Sequence, residues 1–220
     1  MLFRSAAFPA LADLTHRPFM VSAIGAGPLN TDDGRRYASA VCARAARLTV
    51  RDQASRECLI ATGLSPETVT LVADPAYLVR PADDDDARAC LLRAHVPVGR
   101  GPIIAVVLRH WTEGADADRW PSEVAAALDA LVEQESAVCV AIPFQADGRV
   151  ALNDDVAAVA AVRACMRHPD ALSVLPSSLP APVVKAVLGQ ADGLLAMRLH
   201  AVILAASTAV PIVALAHEDR

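Results

Sequence analysis

Between residues 103 and 108 the chain reads Ile-Ile-Ala-Val-Val-Leu, with no polar interruption, and then presents Arg109. A strand with one wet face alternates apolar and polar residues. A short unbroken run belongs to a strand covered on both faces, as in a parallel sheet flanked by helices. Similar runs recur at 18–24, 48–50, 69–72, 137–142, 172–175, 194–197 and 212–215. The segments between them read as helices. Thr31 or Asp32 caps the first, whose apolar positions Tyr37, Val41, Ala45 and Leu48 keep helical spacing. Asp52 caps a second that stops near Gly63, and Pro121 opens a third carrying Val124, Leu128, Leu131 and Val132. Further helices are expected over 153–166, capped by Asn153 or Asp154, and over 182–188 and 199–208. Strand and helix alternate throughout, which predicts an α/β protein with parallel sheets and right-handed crossovers.

Composition agrees with that class. Apolar residues make up 54% of the 220 residues, mostly Ala and Val, and aromatics only 4%. Four consecutive aspartates, Asp83 to Asp86, mark a change near residues 80–101. They read as a solvated linker or a helix start rather than a metal site. The organisation expected is therefore a first α/β lobe over 1–80, a linker over 81–100 and a second α/β lobe over 101–220. No internal repeat is visible.

A net charge of -5 and the lack of a long basic run argue against nucleic-acid binding. The five cysteines, Cys42, Cys58, Cys90, Cys139 and Cys165, form no CxxC pair and no metal-ligand spacing. They read as thiols of a reducing, cytoplasmic compartment. The most apolar stretch, 201–216, is interrupted by Ser207, Thr208 and Pro211 and is too short for a membrane span. No secretory signal precedes it.

In open α/β sheets ligands bind beyond the carboxyl ends of strands, and the polar residues found there are the candidates. Arg109 follows the run at 103–108, with Trp111 beside it. A guanidinium there grips phosphate or carboxylate through paired hydrogen bonds, or else closes a strand with a surface ion pair. Arg198 and His200 lie at a strand-to-helix junction. The helix start attracts anions, and the imidazole can move a proton near neutral pH. Phe144 and Gln145 occupy a third strand end, with Asp154 at the helix start downstream. In the first half, Asp52 beside Arg51 reads as a helix cap, and Arg51, Asp52 and Asp74 have no role assigned. The Gly25–Gly27 turn falls short of GxGxxG, and no Walker, GxSxG or HExxH motif is present. No bound cofactor or metal is expected.

Six stretches resemble the polysaccharide pyruvyl transferase family: IGAGPLN (24–30), TVRDQAS (49–55), ADPAYL (73–78), VVLRHW (106–111), IPFQ (142–145) and MRLHAVILAASTAVPIVAL (197–215). The last is the most specific. The resemblance implies a glycosyltransferase-B-like fold of two Rossmann-like lobes, the first on the acceptor side and the second on the donor side. It implies transfer of pyruvate from phosphoenolpyruvate to a sugar of a cell-wall or exported polysaccharide, giving a cyclic ketal. The acceptor would be a sugar or a lipid-linked saccharide, which allows peripheral membrane association. The family's donor-binding arginines fall on Arg109 and Arg198, and its histidine on His200. The chain departs from the family by lacking a Gly-Asn-Gly-Asp-like segment at its start. It reads His217-Glu218-Asp219-Arg220 where members carry a Tyr-Asp-x-Lys-like stretch and further helices. It is therefore expected to be a fragment or a shortened relative, incomplete at both ends. Two other functions fit the same residues: a nucleotide-sugar glycosyltransferase whose arginines hold a diphosphate, or a non-catalytic sugar- or phosphate-binding module.

Overall fold

The computed structural model describes residues 2–111, 119–147, 149 and 154–216. The chain forms two compact units, Met1–Tyr77 and Leu78–Asp219.

The first unit carries helix α1 (Leu2–Leu14) and a parallel sheet in the order β1-β2-β3. Its strands are β1 (Met20–Ile24), β2 (Arg47–Val50) and β3 (Val69–Leu71). Helices α2 (Asp32–Cys42) and α3 (Gln53–Ile60) follow β1 and β2. Thr31 is the cap of α2, accepting from the Gly34 amide at 3.0 Å, and Asp52 caps α3, accepting from Ser55 at 2.7 Å. Helix α2 stops at Cys42, so Ala45 and Leu48 do not continue it: Leu48 is a buried residue of β2. A small core of Cys42, Leu48, Val50, Leu59, Leu64 and Val69 holds the unit.

The second unit is a five-stranded parallel sheet in the order β6-β5-β4-β7-β8. Its strands are β4 (Ile103–Val107), β5 (Val138–Ala141), β6 (Leu172–Val174), β7 (Gly193–Ala196) and β8 (Ile212–Ala214). Successive side chains of a strand point to opposite faces, and here both faces are covered. Ala105, Val107, Val140 and Leu194 pack with α4 (Asp84–Arg93), α7 (Ala181–Gly189) and α8 (Leu199–Ala206). Val106, Leu108, Cys139 and Ala141 pack with α5 (Trp120–Glu135) and α6 (Asp155–Cys165). That double cover is why the central strands β4 and β5 read as unbroken apolar runs.

Residues 81–100, expected as a linker, are part of this second unit. Helix α4 buries Ala87, Cys90 and Leu91 in its core. The Ala82 amide donates to the Pro182 carbonyl at 2.9 Å, and Lys185 Nζ donates to the Val79 carbonyl at 2.7 Å. The aspartate run is a helix start, with Asp84, Asp85 and Asp86 in the first turn, where the helix dipole favours negative charge. The expected cap Asn153 lies outside the described residues, and Asp154 holds the cap position of α6. All five cysteines are free thiols. Among the described residues no helix is long and apolar enough to cross a membrane.

Candidate functional site

The order of the second sheet defines where a ligand fits. From β4 the chain passes through α5 to β5 and through α6 to β6, moving outward on one side. It then returns through α7 to β7, on the other side of β4, and continues through α8 to β8. The connections leaving β4 and β7 therefore run to opposite faces of the sheet. A crevice opens at the carboxyl ends of such a strand pair.

Arg109 and Arg198 follow the carboxyl ends of that strand pair. Val107 of β4 pairs with Ala196 of β7, so each arginine lies two residues beyond a paired position on adjoining strands. The Met197 amide donates to the Val107 carbonyl at 2.8 Å, extending the alignment toward them. Both side chains are half-buried.

A carboxylate that sequence reading passed over organises this corner. Asp155, in the first turn of α6, is fully buried. Its Oδ2 accepts from the amides of Phe144 at 2.9 Å and Gln145 at 3.1 Å, and its own amide donates to the Gln145 carbonyl at 3.0 Å. Its Oδ1 accepts from Arg198 Nη2. Asp155 belongs to the connection after β5 and Arg198 to the end of β7, while β4 lies between those strands. The Asp155–Arg198 ion pair therefore spans the carboxyl end of β4, where Arg109 emerges. Two guanidinium groups and one buried carboxylate are thus gathered at this end of the sheet.

The remaining candidates fall around it. Asp154 is the helix cap of α6, its Oδ1 accepting from the Ala157 amide at 3.1 Å. Phe144 packs against the core on the α4, α7 and α8 side, and Gln145 is exposed. His200 is exposed in the first turn of α8, two residues beyond Arg198 at the cap position. The Trp111 carbonyl accepts from Trp120 Nε1 at 3.1 Å, and the two tryptophans line a cavity of about 400 Å³ with Met197 and Leu215. The only hint of Asp155 in the sequence was an acidic pair at a helix start. Which member caps and which turns back onto the preceding strand end depends on backbone geometry.

In the first unit, Arg51 follows β2 and its Nη1 pairs with Asp74 Oδ2 at 3.0 Å. The other Asp74 oxygen accepts from the Ala76 amide at 2.9 Å. The Arg51 guanidinium lies so close to Gly25 that a Cβ there would sit 2.7 Å from Nη2. Ser55 Oγ accepts from the Ala26 amide at 2.8 Å. These bonds tie the three strand ends of that sheet to one another. Among the described residues no group of three or more His, Cys, Asp or Glu side chains is placed to hold a metal.

The profile of the polysaccharide pyruvyl transferase family matches residues 2–219, essentially the whole chain. The chain belongs to that family. None of the curated proteins matches the sequence. Solved structures are similar in fold. UDP-GlcNAc 2-epimerase from Methanocaldococcus jannaschii superposes with a TM-score of 0.62 at 11% identity, covering 96% of this chain and 58% of the epimerase. Anabaena Alr3699/HepE in complex with UDP-glucose gives 0.63 at 13% identity, covering 97% and 57%. UDP-GlcNAc 2-epimerase from Neisseria meningitidis bound to UDP-GlcNAc gives 0.58 at 12%, covering 93% and 54%. This pyruvyl transferase family member thus has a glycosyltransferase-B-like α/β fold, and it spans little more than half the length of those structures.

Proposed function

We propose that this chain binds phosphoenolpyruvate at the ends of β4 and β7 and transfers its pyruvyl group to a sugar of a polysaccharide or its lipid-linked precursor. The observation that carries this reading is the pairing of β4 with β7, which sets Arg109 and Arg198 beyond the same register pair. Phosphoenolpyruvate carries a phosphate and a carboxylate on one small skeleton. Two guanidinium groups on neighbouring strands suit it, because each can engage one anionic group through paired donors.

The chemistry begins with a proton delivered to the methylene carbon, which becomes a methyl group and leaves an oxocarbenium-like centre. One sugar hydroxyl attacks that carbon and gives up its proton. The carbon–oxygen bond to phosphate then breaks, and inorganic phosphate departs with the bonding pair. A second hydroxyl adds and loses its proton, closing the ketal. Of the two hydroxyl protons released, one balances the methyl group and one the departing phosphate. Charge building on that phosphate is stabilised by fixed cations, the role of Arg109 and Arg198. His200, beside Arg198 at the start of α8, performs one of the proton transfers. No bound cofactor takes part.

The similarity in fold to Anabaena Alr3699/HepE, solved in complex with UDP or UDP-glucose, supports a second reading, a nucleotide-sugar glycosyltransferase. A donor screen separates the two. Incubation with phosphoenolpyruvate and saccharide acceptors should release inorganic phosphate and leave a pyruvyl ketal on the product. Release of UDP from a UDP-sugar, with phosphoenolpyruvate inert, would favour the glycosyltransferase. Binding without turnover of either donor would favour a non-catalytic module.

A further inference from the structure

We infer that Asp155 is a positioning residue that fixes the Arg198 guanidinium over the end of β4, an inference that rests on Arg198 being a donor-binding group. The carboxylate is fully buried, and three donors hold it: the Phe144 and Gln145 amides on one oxygen and Arg198 Nη2 on the other. A buried carboxylate costs several kcal/mol to desolvate unless its charge and lone pairs are met. Two backbone amides of the turn after β5 could serve a helix-start acid by themselves. Here the acid also reaches a side chain from β7, two strands away in the order β5-β4-β7. Neighbouring strands stand about 4.8 Å apart, so this bond carries the guanidinium across the sheet edge toward Arg109. An untethered arginine has many rotamers and loses that freedom on binding an anion. One held in place by a carboxylate has lost it before the ligand arrives, and binding is correspondingly tighter. Asp155 gives up part of the local positive charge in return for orientation.

Two readouts on the full 220-residue chain test this. The first needs no ligand: nitrogen NMR of the Arg198 guanidinium. In the unaltered protein, rotation about its Cζ–N bonds should be hindered. In Asp155→Asn, which keeps shape but loses charge, it should become fast. The second is phosphoenolpyruvate affinity by calorimetry. Asp155→Asn should weaken binding about tenfold to hundredfold, the range of one charged hydrogen bond. In an Arg198→Ala background the same substitution should have little further effect, because the two residues act as one unit. Unchanged guanidinium dynamics in Asp155→Asn would overturn the inference, as would an effect on affinity that persists undiminished without Arg198. Should Asp155→Asn not fold, the unaltered protein decides: free rotation of the Arg198 guanidinium there would overturn the inference. Hindered rotation relieved by Asp155→Asn, together with full affinity in Arg198→Ala, would sustain the positioning role and remove the donor assignment instead.

Discussion

At the scale of single residues, buried charge pairs tie strand ends together in both units. Arg51 and Asp74 pair with side-chain exposures of 17% and 9%. Arg51 Nε also lies 3.8 Å from Asp52 Oδ2, so loss of Asp74 leaves the guanidinium partly compensated, at a cost of about 1–3 kcal/mol. Asp74→Ala should therefore lower stability by about that much, read by denaturant unfolding, with hydrogen-exchange protection lost first in β2 and β3. His200 is different in kind. It is exposed, so His200→Ala should leave stability within about 0.5 kcal/mol of the original. It should slow pyruvyl transfer about 10²-fold while phosphoenolpyruvate still binds. Residue identity was legible only in part. Arg109, Arg198 and His200 stood out because charged side chains follow apolar runs directly. Asp155 did not, because it and Asp154 are chemically the same and differ only in which direction the helix start turns them.

At the scale of elements, strands covered on both faces announced themselves. Val106 and Val107 face opposite layers of the second unit and both are fully buried. Helix ends were readable where a side chain meets a free amide, as at Thr31 and Asp52. Helix α1 was not, because Pro9 interrupts its pattern, and α4 was hidden by an aspartate run that reads equally well as a tether. One further element link is Asp129 of α5. It accepts from the Arg167 amide at 2.8 Å and the His168 amide at 3.0 Å, pinning the segment between α6 and β6. Burial alone would raise its pKa. The two backbone donors and the nearby Arg167 and His168 charges prevail and hold it below the usual carboxylate value. A group with a depressed folded pKa stabilises the fold above its unfolded value, about 4, and loses that contribution as pH falls through the folded one. Melting temperature should thus drop on acidification below about pH 4. Asp129→Asn should melt lower than the original protein at pH 7, and the gap should narrow at pH 3.

At the scale of the whole molecule, alternating elements implied parallel sheets but not which strands adjoin. Arg109 and Arg198 follow neighbouring strands only because the chain returns to place β7 against β4. No local pattern encodes that return; it follows from right-handed crossovers covering first one face and then the other. The family match spans the chain, yet fold similarity alone does not choose between an enol-phosphate donor and a nucleotide sugar. The choice rests on two cations sharing one small anion. Calorimetric titration of phosphoenolpyruvate into the chain and into its Arg109→Ala and Arg198→Ala variants addresses this directly. Binding should be present in the original protein and at least tenfold weaker in each variant, at the low end for a lost charged hydrogen bond. Equal affinity in all three proteins would contradict a shared donor site at the ends of β4 and β7.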